Sequence, residues 1–96
     1  MSDLPVERED GETGGRYVVR LDGHEAEMTY SRAGAKMIII DHTGVPKELG
    51  GRGVGQAMVL RAIEDARAEG FKIIPLCPFA KAQFDKHPEW TDVLKA

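Results

Sequence analysis

The chain is 96 residues long, with 42% hydrophobic and 30% charged residues, a single cysteine and a formal net charge of −3. That length suits one domain with one core. A lone cysteine excludes an internal disulfide framework, and no apolar run is long enough for a membrane span or a signal-peptide core, so a cytoplasmic location with no membrane partner is the expectation.

The charge is unevenly placed. Residues 1–12 hold five acids (Asp3, Glu7, Glu9, Asp10, Glu12) and one base, Arg8, whereas the rest of the chain holds twelve bases to eleven acids. Residues 1–15, polar and ending in Gly14-Gly15, therefore read as a flexible acidic tail before a single domain spanning 16–96. The near-neutral body carries no basic stripe interleaved with aromatics, so no nucleic-acid partner is expected.

Arg16 to Leu21 carries the β-rich run Tyr17-Val18-Val19, and Asp22-Gly23 follows as a type I′ hairpin signal. Ala26, Met28 and Tyr30 then alternate with Glu25, Glu27, Thr29 and Ser31, as in a strand with one wet face. A turn through Arg32-Ala33-Gly34 leads to a strand from Lys36 to Asp41, where Met37-Ile38-Ile39-Ile40 is apolar without alternation and reads as covered on both faces. These runs predict a three-stranded antiparallel meander.

Four glycines in six positions, Gly50, Gly51, Gly53 and Gly55, come next. A helix follows, from about Val54 to Glu69, with Gly55, Met58, Val59, Ala62, Ile63 and Ala66 on one side and Arg61, Glu64, Asp65 and Ala68 facing away. Gly70 stands where a left-handed C-cap is expected. The short strand Lys72 to Leu76 should lie parallel to Met37–Ile40 after a right-handed crossover. Pro75 restricts it to an edge or a splayed position. A second helix opens at Pro78 and stops before His87-Pro88, and Trp90, Val93 and Leu94 should pack back on the body. The predicted fold class is thus α/β with a mixed sheet of about four strands, three antiparallel and one parallel, and two helices.

Strand, glycine loop and helix form a phosphate cradle, because free N–H groups and the positive end of the helix dipole point the same way. It is not a Walker loop, since Gln56 and Ala57 stand where Lys and Ser or Thr are required. Nor is it the dinucleotide fingerprint, which would demand glycine at Gln56. Ligands of open α/β sheets bind beyond the carboxyl ends of parallel strands, and two reactive side chains fall there. His42 ends the buried strand. Cys77 closes the short one as N-cap of the second helix, where dipole and N–H groups lower a thiol pKa. The gap between the splayed strands is expected between them. His24, beside the hairpin turn, reads as exposed, and His87 belongs to a helix stop. No His/Cys spacing supports a metal site.

From His42 onward the chain resembles the GNAT superfamily of acetyl-CoA-dependent N-acetyltransferases, in its smallest single-domain branch. The residues that carry the resemblance are His42-Thr43 with Val45-Pro46, then Gly50 to Gly55, then Pro75-Leu76-Cys77-Pro78-Phe79, and finally His87-Pro88-Glu89-Trp90. It implies acetyl-CoA as coenzyme, with the pantetheine arm along the backbone of Thr43, Gly44 and Val45. The pyrophosphate would lie on Gly50, Gly51, Arg52, Gly53, Val54, Gly55 and Gln56, with Pro78, Phe79 and Lys81 bordering the coenzyme. It also implies catalytic roles for Cys77, at the acetyl site, and for His42, facing it.

Gly50 stands where many relatives have Arg or Gln, and Arg52 is available as a substitute. Two functions remain open at this point. One is acetyl transfer to an amine, with His42 as base and Cys77 as proton donor to the leaving thiolate or as acetyl carrier. The other is a non-catalytic CoA-binding sensor or adaptor that uses the acidic tail to engage a partner. A monomer is expected in either case.

Overall fold

A computed structural model describes residues 4–95. Its elements in chain order are β1 (Val6–Asp10), β2 (Gly14–Leu21), β3 (His24–Arg32), β4 (Met37–Gly44), α1 (Val54–Glu69), β5 (Lys72–Pro75) and α2 (Pro78–Lys86). The five strands form one sheet in sequence order. β1 to β4 are antiparallel neighbours, and β5 runs parallel to β4 with Ile38 opposite Ile73.

The local chemistry explains most boundaries. Asp22 and Gly23 take φ of 52° and 78°, the two positive values that a type I′ turn requires. Helix α1 ends on Gly70 in the left-handed region, whose N–H bonds back to the Ala66 carbonyl. The wet-and-dry alternation of β3 places Ala26, Met28 and Tyr30 in the core. Pro75 sits at the sheet edge. Ile73, two residues before it, donates its N–H outward to the Val93 carbonyl at 2.7 Å, so the missing donor of Pro75 points away from β4 and costs no rung.

Both helices pack on one face. Tyr17, Met28, Ile38, Ile40 and Ile73 meet Val54, Met58, Val59, Ala62 and Ile63 of α1, and Ala80 and Phe84 of α2, in one core. Trp90 and Val93 close that core from the C-terminal side, with Trp90 edge-on to Phe84 at 5.6 Å and stacked on His87 at 4.0 Å. Among the described residues nothing covers the other face of the sheet. There Arg16 and Arg20 interleave with Glu7, Glu9, Glu25 and Glu27, and their side chains leave Val18 fully buried beneath them.

The acidic tail needs correction. Residues 1–3 lie outside the described residues, but Val6–Asp10 is a strand paired with β2 from Val6↔Val19 to Asp10↔Gly15. The sheet therefore has five strands rather than four, and four of them form the meander. Each charge on β1 meets an opposite charge from another element: Glu7 with Arg20, Glu9 with Arg16 and Arg20, Asp10 with Arg32, and Arg8 with Asp65 and Glu69. Burial opposes the Arg8 charge, but hydrogen bonds to Tyr30 and Glu69 outweigh it and hold its pKa above the ordinary value. Gly14-Gly15 is not a loose tail end either. A Cβ on Gly15 would fall 2.8 Å from Tyr30 Oη and 2.3 Å from the Glu9 carbonyl oxygen, so the strands close tightly only around glycine.

The strand supports α1 as well. Asp65, expected to face away, pairs with Arg8 at 3.4 Å and also accepts the Tyr17 hydroxyl of β2 at 2.9 Å, and Arg61 donates to the Val6 carbonyl at 2.7 Å.

Candidate functional site

The site forms where β4 and β5 part. Their pairing ends at Ile40↔Pro75, and the Cys77 N–H makes the last link, to the Ile40 carbonyl at 3.0 Å. Beyond it β4 continues to Gly44, while the other chain turns into α2 at Pro78. Cys77 is the N-cap of α2 in extended geometry, as its position before Pro78 predicted. Its thiol is buried and donates to Thr43 Oγ1 at 3.3 Å. Burial pushes the thiol pKa up, but the Thr43 hydroxyl and the N–H groups of Ala80, Phe79 and Thr43 outweigh it and bring it below its ordinary value. A thiolate at this place is stabilised by donors already oriented by the helix.

His42 does not face Cys77. Thr29 pairs with His42 but Tyr30 pairs with Ile40, so Asp41 is an extra residue, a bulge in β4. In an unbroken strand Ile38, Ile40 and His42 would share one face. One inserted residue reverses that parity for everything after it. Thr43 therefore joins the helix-covered face, opposite fully buried Met28, and His42 turns to the uncovered face opposite Thr29. His42 is exposed there, and a Cβ on Gly44 would lie 3.3 Å from its Nε2. The expected His42–Cys77 pair is replaced by a Thr43–Cys77 pair, with His42 on the opposite side of the sheet.

The glycine loop adjoins the opening. A short 3-10 turn, Lys47–Leu49, precedes it, and Leu49 is fully buried as its anchor. Gly51 and Gly53 have φ of 75° and 74°, values that disfavour any side chain. Gly53 is the N-cap of α1, and none of the N–H groups from Gly51 to Gln56 is spent on a backbone hydrogen bond among the described residues. These are unspent donors at the positive end of a 16-residue helix, a ready anion site. Gly55 has a different reason to be glycine. A Cβ there would meet the Phe79 ring at 2.6 Å, so its bare backbone lets α2 dock on the first turn of α1.

A cavity of about 380 Å³ opens over this loop, lined by Val45, Pro46, Lys47, Leu49, Gly50, Gly51, Gly53, Val54, Gly55, Gln56 and Phe79. Most of the expected coenzyme residues thus come together. Thr43, Gly44, Arg52, Pro78 and Lys81 do not line it. Arg52 is ion-paired with Asp22 at 2.8 Å, and Lys81 makes only a loose 4.0 Å contact with Asp85. Pro46, Lys47 and Leu49 are additions; an apolar residue just before a glycine loop is the one signal that could have marked Leu49. His24, expected to be exposed, is partly covered and lies 4.0 Å from Glu48. No group of three or more His, Cys, Asp or Glu residues could hold a metal among the described residues, and none of the described helices is long and apolar enough to cross a membrane.

The chain also matches a known family. The family model described as GCN5-related N-acetyl-transferase matches residues 16–93. The chain belongs to this family. A solution structure of a GCN5-like protein from Staphylococcus aureus, described there as a candidate N-acetyltransferase, is 38% identical. Its TM-score is 0.73, and the match covers 100% of this chain and 92% of that one. No curated protein matches the chain. The family generally uses acetyl-CoA and passes its acetyl group to an acceptor, and the mixed sheet with two helices is its fold.

Proposed function

We propose that the protein binds acetyl-CoA over the Gly50–Gln56 loop and acetylates an amine that reaches the opening from the uncovered face of the sheet. The observation that carries this reading is the unspent run of N–H groups from Gly51 to Gln56, in a cavity also lined by Phe79, two residues after the Cys77 thiol that caps α2. When bound, acetyl-CoA supplies an activated acetyl thioester. The loop N–H groups suit a pyrophosphate, and the backbone of Thr43, Gly44 and Val45, beyond the end of the β4–β5 pairing, suits the amides of a pantetheine arm. From α2, Phe79 lines the same cavity, and Pro78 and Lys81 would border the coenzyme beyond it.

His42 stands on the uncovered side, exposed, and among the described residues its imidazole has no hydrogen-bond partner, so the ring is free to accept a proton from an amine arriving there. Cys77 stands on the covered side. Its Sγ–H is placed either to protonate a leaving thiolate or, as thiolate, to take the acetyl group as its own thioester. The adaptor reading would engage its partner through a free acidic tail, but Val6–Asp10 is part of the sheet. The same reading places the protein in the cytoplasm as a monomer.

Isothermal titration with CoA, ATP and NAD side by side tests the coenzyme. Heat from CoA alone is expected, and binding of ATP or NAD without CoA refutes the proposal. Mass spectrometry of protein mixed with acetyl-CoA under rapid quench separates the two roles of Cys77, because only the covalent route leaves an acetyl adduct on it. Full acetyltransferase activity in both Cys77→Ala and His42→Ala would remove these residues from the chemistry.

A further inference from the structure

The tip of the β2–β3 hairpin reaches across to the glycine loop and touches it twice. Asp22 Oδ2 accepts from Arg52 Nη1 at 2.8 Å, and His24 Nδ1 lies 4.0 Å from Glu48 Oε1. Arg52 is the only base between Gly50 and Gln56, and it sits between the two left-handed glycines Gly51 and Gly53. The guanidinium carried within the run of unspent N–H groups is therefore held by a carboxylate from another element.

We propose that Asp22 is an internal competitor for Arg52, displaced when a coenzyme phosphate arrives. The inference rests on the coenzyme reading above and adds a residue that sets its affinity. A guanidinium binds phosphate as a bidentate, more highly charged partner than a single carboxylate. The existing pair is weak enough to yield, because both side chains are about half exposed or more, at 47% and 68%, and exposed pairs are worth little. The backbone flanking Arg52 is loosely packed, since nothing lies within 4 Å of a Cβ built at either neighbouring glycine. Coenzyme binding would then free the hairpin tip from the loop, so the turn acts as a brake on phosphate capture.

The test is Asp22→Asn, which keeps the turn because Asn tolerates positive φ. CoA should bind the variant about two- to fivefold more tightly at low salt, the range of an exposed ion pair. An acetylated pantetheine lacking phosphate should bind wild type and variant alike. Arg52→Ala should bind CoA more weakly than wild type, and adding Asp22→Asn to it should change nothing further. Unchanged or weaker CoA binding by Asp22→Asn, while wild type binds normally, overturns the competition and leaves the coenzyme reading intact. No CoA binding by wild type overturns both.

Discussion

Replacing Gly55 by alanine isolates the contact on which the docking of the two helices depends. A Cβ at this position would lie 2.6 Å from Phe79 Cζ and 2.9 Å from Cε2, against an ordinary carbon separation of about 3.5–4.0 Å. The ring must retreat by roughly 1 Å, and overpacking of that kind costs about 1–3 kcal/mol. Removing a glycine from a helix returns about 0.5–1 kcal/mol. The net expectation is a loss of about 1 kcal/mol. For a chain of this size, with a urea m-value on the order of 1 kcal/mol/M, the denaturation midpoint should fall by about 1 M. CoA affinity should fall as well, because Gly55 and Phe79 line one cavity. Combining Gly55→Ala with Phe79→Leu should recover much of the stability, since the shortened side chain removes the collision. A Gly55→Ala protein as stable as wild type, or more so, would refute the packing argument and leave helix propensity as the larger effect.

Three further outcomes follow from other parts of the molecule. Thr43→Val removes the hydroxyl beside Cys77, so the thiol pKa should rise and its alkylation profile should shift to higher pH; Thr43→Ser should restore it, and an unmoved profile would leave only the helix N–H groups as the cause. Tyr17 has its phenol pKa raised, first by burial and then by Asp65. The stability this gives is full below about pH 10, the unfolded value, and is lost as pH rises towards the folded value. Thermal melts of Tyr17→Phe should therefore lose less stability above pH 10 than wild type, and equal losses would refute it. Deleting residues 1–10 removes β1 and the Arg8 contacts; a loss of at least about 2 kcal/mol should lower the melting temperature by roughly 8–16 °C, whereas an unchanged melt would restore the tail reading.

The meander, the crossover helix and the parallel strand were legible because their signals are local. Asp22-Gly23 specifies its own turn, β3 alternates within itself, and Gly70 caps the helix it follows. β1 was hidden for the opposite reason. Glu7, Arg8, Glu9 and Asp10 form a charged run that looks solvated in isolation, and only the arginines and carboxylates of β2, β3 and α1 make it a strand. Long-range neutralisation leaves no period in the sequence. Gly14-Gly15 misled in the same direction, because close strand approach and chain freedom call for the same residue.

The site divided along a similar line. The glycine loop and the Cys77–Pro78 cap are contiguous in the chain, and both took the expected local geometry. The partner of Cys77 depended instead on counting residues along β4, and a bulge at Asp41 changes that count by one. With strict alternation His42 would share the covered face with Cys77. With the bulge Thr43 does, and its hydroxyl is what helps the thiol ionise. The same bulge gives the molecule two distinct sides at one opening. The thiol lies on the helix-covered face, and the imidazole lies on the bare face. Had His42 and Cys77 met directly, the imidazole would have been committed to the thiol. Separated by the sheet, the imidazole keeps no partner among the described residues, and the groups that lower the Cys77 pKa are Thr43 and the first turn of α2.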